Sequence, residues 1–366
     1  MNEAFIVDNT QNMTAELARL YRDWVPKINE AMAAYFPRHP EKAFLAQDLG
    51  EGIIDSEAAS KSLFDPTYLY VDRPGKLLRP VLTGLVLDAY DVDISRHMPV
   101  LAMIELMEAT TISLNDVWDE SPLRRGGPCT HVLHGHDVAY VAALFGYSYC
   151  QKFLFNPALE LDDATRLRLY RAFAFEDMQF FLGDLVETLW PIQKKKWVEE
   201  NHYFQEVVSR CAFLSFRGPT RIGAILGKAP ENDIHALEAF GMRIGLAYHL
   251  RGDNLNFNPQ SNTWGKAHYE DITAGRRSLV TSYAYLQASV ADRAEMLAIL
   301  DASTTDVEKL NQFIALIQKY HASEYCDTRA RTLISEAKAE LEHLSIQPYH
   351  RNLLEEFADF MVDRTK

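Results

Sequence analysis

"TISLNDVWDESPLRRGGP", residues 111–128, decides how this chain reads. Thr111 to Trp118 continues an apolar helical run that begins near residue 97. Asn115, Asp116 and Asp119 therefore stand at i, i+1 and i+4 at a helix end, with 115 and 119 on one face. Oxygen ligands on one helix face suit a Mg²⁺ ion that bridges a diphosphate. Arg124 and Arg125 follow about a turn later, and guanidinium forks match phosphate oxygens. The plainer reading of the same letters is an exposed acidic helix end paired with its own arginines. Where a metal site would want one more carboxylate, there is the neutral amide of Asn115.

Outward from this stretch the pattern is helical almost throughout, and strand alternation is scarce, so the chain reads as all-α. Helical periods cover residues 97–118, 163–190, 231–256 and 277–300. "LEEFADFM" sets Leu354, Phe357 and Met361 on one apolar stripe. "TDVEKLNQFIALI" opens with a capping box from Thr305 to Glu308. Loops fall at 36–42, 72–76, 124–128 and 256–262. Residues 1–60 read as a peripheral N-terminal helical extension, with a helix over 14–35 interrupted near Pro26. Residues 61–366 read as the main helical domain.

Composition narrows the function classes. The net charge of −14 argues against a nucleic-acid partner or an anionic membrane surface, so any anion site must be a local basic cluster. Cys129, Cys150, Cys211 and Cys326 lie far apart, as reduced thiols of a cytoplasmic protein do. The N-terminus lacks a basic segment followed by an apolar run, and no apolar stretch approaches 18 residues, so neither a signal peptide nor a membrane span is expected.

Two further clusters bear on chemistry. "RPGKLLRP" (73–80) places Lys76 and Arg79 at i, i+3 after a Pro-Gly turn, either a compact anion site or a snorkelling surface pair. "GLAYHLRGDNLNF" (245–257) carries the single carboxylate Asp253, with Asn254 and Asn256 nearby.

These segments together resemble the trans-isoprenyl diphosphate synthases, the polyprenyl synthetase family. "GKLLRP" resembles the family's G-K-x-L-R-P, "NDVWDESPLRRG" its D-D-x-x-D-x-x-x-x-R-R-G, and "GDLVETLW" (183–190) its G-Q-x-x-E-L helix. "PTRIGAILG" (219–227), "YHLRGDNLN" and "GKAHYEDITAGRRSL" (265–279) match three more motifs, in family order over roughly residues 60–300. The resemblance implies an isoprenoid synthase-type helical bundle around a deep central cavity, usually a homodimer, or here a heterodimer with a homologue. It implies two aspartate-rich segments holding Mg²⁺ on an allylic prenyl diphosphate, whose carbocation is attacked by isopentenyl diphosphate or another acceptor. Carried over, the catalytic and metal-side residues are Asn115, Asp116, Asp119 and Asp253, with Asn115, Asp119 and Asp253 as metal ligands. The allylic diphosphate falls to Arg124, Arg210, His249 and Arg276, beside Gly252. The acceptor diphosphate falls to Lys76, Arg79, Glu108 and Arg125. Thr110 and Thr111 take the chain-length position and leave the shaft open for a prenyl chain of C15–C20 or beyond.

The departures from the family pattern are concentrated. Asn115 and Gly252 replace the leading aspartates, Asn256 the trailing one, and Arg210-Cys211 a Lys-Thr pair. His249 replaces a glutamine, Arg276 a lysine, Ser278 a threonine, Asp184 a glutamine and Glu108 a histidine. The metal half is thus weakened, with fewer than three ions expected, while the basic half is kept. Glu108 and Asp184 read either as a general base or, with more weight, as charge balance for Arg125, Arg210 or Arg276. His131, His134 and His136 do not read as a zinc site, and Trp118 reads as packing. Three functions follow: a divergent prenyltransferase, a non-catalytic subunit of a prenyl diphosphate synthase, or a terpene cyclase. The last draws on a faint metal motif at Asp253, Asn256 and Gln260.

Overall fold

A computed structural model describes residues 10–50, 55–73, 75–193, 196–257 and 269–364. The chain forms two compact units, Met1–Tyr170 and Arg171–Lys366, and the division falls within the helix Asp163–Ile192. Among the described residues the non-helical regular structure is one two-stranded ladder, Leu123–Arg124 against Gly127–Pro128. No described helix is long and apolar enough to cross a membrane.

The first unit is organised on the helix Met98–Trp118. Nearly every side of it is buried, as expected of a helix that is apolar all round. The helices Ala15–Tyr35, Asp65–Asp72, Leu78–Ala89 and His136–Cys150 pack against it. Phe36, Phe64, Phe145 and Tyr149 form an aromatic cluster, with Phe36 and Phe64 ring centroids 4.6 Å apart.

The expected boundary at residue 60 is not a structural one. Leu17, Leu20, Tyr21, Trp24, Val25, Ile28 and Met32 of the first helix are all buried, so this segment is part of the unit's core. Nor does Pro26 interrupt it: the helix runs unbroken from Ala15 to Tyr35. Proline removes one helical donor, and the carbonyl four residues back belongs to the exposed Arg22, where water can serve it. The apolar stripe on both sides of Pro26 then holds the helix in place.

In the second unit the helix Glu231–Asn256 is central. The helices Gly218–Leu226, Ala322–Glu340 and Pro348–Asp363 pack on it, as does a π-helical stretch, Val208–Arg217. Leu354, Phe357 and Met361 are buried as their spacing predicts. The expected helix over 277–300 is two, Leu279–Gln287 and Val290–Asp301, because the Ser289 side chain caps a new start by accepting from Asp292 N. The expected capping box at Thr305 also moves: Asp306 is the cap, and its side chain accepts from Glu308 N at 2.9 Å.

The core role of the first helix has a direct test. Trp24→Ala should cost about 3–5 kcal/mol in urea unfolding. A peripheral extension would leave the unfolding midpoint unchanged.

Candidate active site

In the first unit the site is built on a tight turn facing a helix. Arg125 (φ 52) and Gly126 (φ 75) are both left-handed, which is what a two-residue hairpin turn between Arg124 and Gly127 requires. Gly126 adopts this freely, whereas Arg125 needs tertiary contacts to hold it there. The two arginines make separate contacts. Arg124 Nε donates to Asp116 Oδ1 at 2.8 Å, and its Nη2 reaches the same oxygen. Arg125 Nη1 donates to the carbonyls of Tyr70 (2.8 Å) and Arg73 (3.1 Å), and its Nη2 lies 3.4 Å from Glu108 Oε1.

Asp116 was expected among the catalytic carboxylates, but it is fully buried and its oxygens are already used. Besides Arg124, Tyr70 Oη donates to its Oδ2 at 2.8 Å and Cys129 Sγ lies 3.3 Å from it. Burial first, and then the Asp116 charge, push the Cys129 thiol up to about 12. Asp116 and Arg124 therefore lock the turn to the helix. The pairing of this acid with its arginine is as the plainer reading has it, but it lies in the interior and not on an exposed helix end. Asn115 is different: its Oδ1 is buried with no hydrogen-bond partner. Asp119, at the helix C-cap, is exposed.

Thr110 and Thr111, expected at a chain-length position, lie in the packed interior of the first unit. Both are buried, both hydroxyls donate to the Met107 carbonyl at 2.9 Å, and the Thr110 methyl packs against Gly146 of the neighbouring helix. Lys76 lies outside the helix that carries Arg79, because Leu77 (φ 47) precedes its first residue, Leu78. Pro74 lies outside the described residues.

Glu108 bridges the basic pair. Its Oε1 is 2.5 Å from Arg79 Nη1 and 3.4 Å from Arg125 Nη2. One turn earlier stands Glu105, which sequence reasoning missed. It is 2% exposed, and neither of its oxygens meets an N–H or hydroxyl among the described residues. Burial first, then the Glu108 charge, push its carboxyl up to about 8, with Arg125 and Arg79 pulling the other way. Glu105 is thus protonated at neutral pH. Its sequence signal was an acid in the middle of the apolar run "AMIELM".

In the second unit, Arg210 on the π-helical stretch is the hub. It pairs with Glu206, approaches Glu187 Oε1 at 3.2 Å, and places Nη2 2.9 Å from His249 Nε2. That nitrogen accepts from the guanidinium and so carries no proton. Arg276 lies 3.7 Å from Glu187 and 4.0 Å from Asp271. Asp253 accepts from Tyr203 Oη at 2.6 Å; burial, then Asp271, push it up to about 7. Burial likewise pushes Glu206 up to about 8, with Glu187 adding to it and Arg210 opposing. Four carboxyl groups and three arginines, the third being Arg277, thus line one cleft with Trp190, Tyr203 and Ser278. Glu187, Glu206, Tyr203 and Asp271 were not foreseen as members. The Asp184 side chain belongs to the same helix as Glu187. The Cys211 side chain and residues 258–268, including Gln260, lie outside the described residues.

The residues divide over Mg²⁺. In the first unit the orphaned Asn115 Oδ1 and the exposed Asp119 suit one hard cation. In the second unit the fit fails. Asp253 is held by Tyr203, and Gly252 offers no ligand. A Cβ on Gly252 would stand 3.2 Å from Arg364 Nη2, so a guanidinium borders that position. Arg364 is held there by donating to Tyr248 O at 2.9 Å and stacking 3.9 Å over the Tyr248 ring. Arg251 donates to the Arg364 carbonyl in turn. No group of three or more His, Cys, Asp or Glu suited to a metal occurs among the described residues. Asp253, expected as a metal ligand, is here a half-buried acid hydrogen-bonded by Tyr203.

The family model Polyprenyl synthetase matches residues 60–317. A short chain isoprenyl diphosphate synthase of Methanothermobacter thermautotrophicus is 27% identical over 310 residues, covering 84% of this chain and 92% of its own. A geranylgeranyl diphosphate synthase of Methanosarcina mazei is 24% identical, covering 83% and 90%. A crystal structure of polyprenyl synthase from Caulobacter crescentus CB15, complexed with calcium and isoprenyl diphosphate, shares the fold. Its TM-score is 0.81 at 19% identity, covering 97% of this chain and 99% of that one.

Two outcomes follow from the first unit's charges. Arg124→Ala strands a buried carboxylate and should cost about 3–5 kcal/mol in chemical denaturation, with Asp116→Asn in the same chain recovering part. Glu105 stays protonated when folded but ionises near its ordinary value when unfolded, so it withdraws stability as pH rises from about 4.5 to about 8. Glu105→Gln should flatten the fall in stability between pH 5 and pH 8. An unchanged slope would mean Glu105 is ionised in the folded chain.

Proposed function

The chain belongs to the polyprenyl synthetase family, and we propose that it is a divergent prenyltransferase. It takes an allylic diphosphate of C15–C20 chain length and passes the prenyl group to isopentenyl diphosphate or to another phosphorylated acceptor. The supporting observation is the asymmetry of the site. Arginine stands at 79, 124, 125, 210 and 276, while the leading carboxylates are gone from 115 and 252. Allylic ionisation needs positive charge where the leaving diphosphate develops negative charge, and fixed guanidinium groups supply part of that. Arg210 and Arg276, each set among carboxylates, are the allylic-side cations of the second unit. Arg124 belongs to the same set through its hold on the turn. His249, unprotonated at Nε2, orients Arg210.

Magnesium, when bound, adds Lewis-acid charge to the diphosphate oxygens. Asn115 and Asp119 would hold it. The names of the relatives support the chain length, since they make geranylgeranyl and short-chain diphosphates. The protein works in the cytoplasm, in keeping with the buried free thiols of Cys129, Cys150 and Cys326.

Self-association belongs to this reading. The helix Asp163–Ile192 exposes Leu167, Tyr170, Met178, Phe181, Leu182 and Leu185. So long an apolar face on one helix is the mark of a partner surface. Leu182→Lys with Leu185→Lys should convert the sedimenting species from dimer to monomer. A wild type that sediments as a monomer would remove this part.

The activity is tested by pyrophosphate release from C10, C15 and C20 allylic diphosphates with Mg²⁺, with and without an acceptor. Release is expected from the C15 or C20 substrate. Asp119→Ala, an exposed change that leaves the core intact, should lower it by about 10²-fold. Absence of release with every acceptor tried, in a folded dimer, would favour a non-catalytic subunit of a prenyl diphosphate synthase.

A further inference from the structure

We propose that Glu108 selects the acceptor: it occupies the space between Arg79 and Arg125 where a diphosphate would sit, so the acceptor carries a single phosphate and not a diphosphate. The inference rests on the prenyltransferase reading and on Arg79 and Arg125 being its acceptor side.

The geometry is that of an internal anion. One carboxylate oxygen, Glu108 Oε1, lies 2.5 Å from Arg79 and 3.4 Å from Arg125. The Arg79 contact is a tight charge-assisted one and the Arg125 contact a longer one, so the carboxylate oxygen takes the place between the forks that a phosphate oxygen would use. None of the three groups is placed to yield easily. Arg125 is tied to the Tyr70 and Arg73 carbonyls by its other Nη and sits on a left-handed residue of a two-residue turn. Arg79 is on the first turn of its helix. Glu108 is 8% exposed on a helix buried nearly all round. Its Oε2 is buried too, and the protonated Glu105 carboxyl is its hydrogen-bonding neighbour, a further hold on the Glu108 side chain.

The charge count points the same way. Lys76, Arg79 and Arg125 bring three positive charges and Glu108 one negative, a net of two (3 − 1). Glu105, protonated behind it, adds none. A phosphate monoester carries about −1.5 to −2 at neutral pH and balances this site. A diphosphate carries more, and would have to compete with Glu108 for both guanidinium groups. In the transfer, the allylic C–O pair leaves with the diphosphate. The acceptor's electron pair closes the new bond to that carbon, and the acceptor's proton passes to the departing diphosphate.

The test is calorimetric binding to the full-length chain, with Mg²⁺ and a saturating non-ionising C20 allylic thiodiphosphate holding the allylic side. Isopentenyl diphosphate is titrated into wild type, Glu108→Gln and Glu108→His. The thiodiphosphate should bind all three. Wild type should then bind isopentenyl diphosphate more weakly than either variant by roughly ten- to a hundredfold, the scale of one charge-assisted hydrogen-bond pair. Glycerol 3-phosphate, as a monoester probe, should bind wild type more tightly than isopentenyl diphosphate does. Should Glu108→Gln fail to fold, the Glu108→His comparison and the two wild-type titrations still decide. Wild-type binding of isopentenyl diphosphate as tight as the variants', or tighter than the monoester's, overturns the proposal. If the thiodiphosphate binds none of the proteins, the prenyltransferase reading falls, and this inference with it.

Discussion

The buried Asp116–Arg124 pair is the interaction on which the first unit's site depends. A carboxylate with no exposed surface must be matched by donors, and Arg124, Tyr70 and Cys129 supply them. Matching it fixes the turn at 124–127 against the helix Met98–Trp118. With the turn fixed, Arg125 is held where it meets Glu108 and two carbonyls. Asn115, whose Oδ1 is without a hydrogen-bond partner, and the exposed Asp119 stand at the same helix end. One residue that looks like a metal ligand is thus the anchor for the others.

The second unit answers the loss of carboxylates differently. At Gly252 there is no side chain, and Arg364 from the last residues of the chain lies against the gap. A guanidinium there cannot coexist cheaply with a divalent cation, and it supplies part of the positive charge an ion would bring. Around Arg210 the carboxyl groups outnumber the arginines, and two of them relieve the imbalance by holding protons: Asp253 near pH 7 and Glu206 near pH 8. The altered letters of the two motifs thus belong to two self-consistent networks.

Much of the fold was legible. The helices Met98–Trp118, Glu231–Asn256 and Pro348–Asp363 follow their apolar spacing because each buries a continuous face. What periodicity missed was local. Ser289 splits one expected helix, Asp306 caps where Thr305 was expected, and Pro26 is tolerated inside a strongly buried helix. The arginines of the site were readable from their motifs. Their partners were less so: Glu105 looked like one letter in an apolar run, and Arg364 lies more than a hundred residues from Tyr248, its partner. The balance reading of Glu108 was available from charge alone, but not which arginines it would bridge. Asp116 went the other way, because a motif reading cannot tell a ligand from an anchor when both are aspartates of one motif, as Asp116 and Asp119 are.

The central claim is that the phosphate-binding arginines survive while the metal seat of the second motif does not. Anomalous diffraction from a crystal grown with Mn²⁺ and a non-ionising C20 allylic thiodiphosphate tests this most directly. The account predicts a bound diphosphate, an ion at Asn115 and Asp119, and no anomalous peak within bonding distance of Asp253, with Arg364 in place beside Gly252. Three ions, one of them ligated by Asp253 with Arg364 displaced, would contradict it.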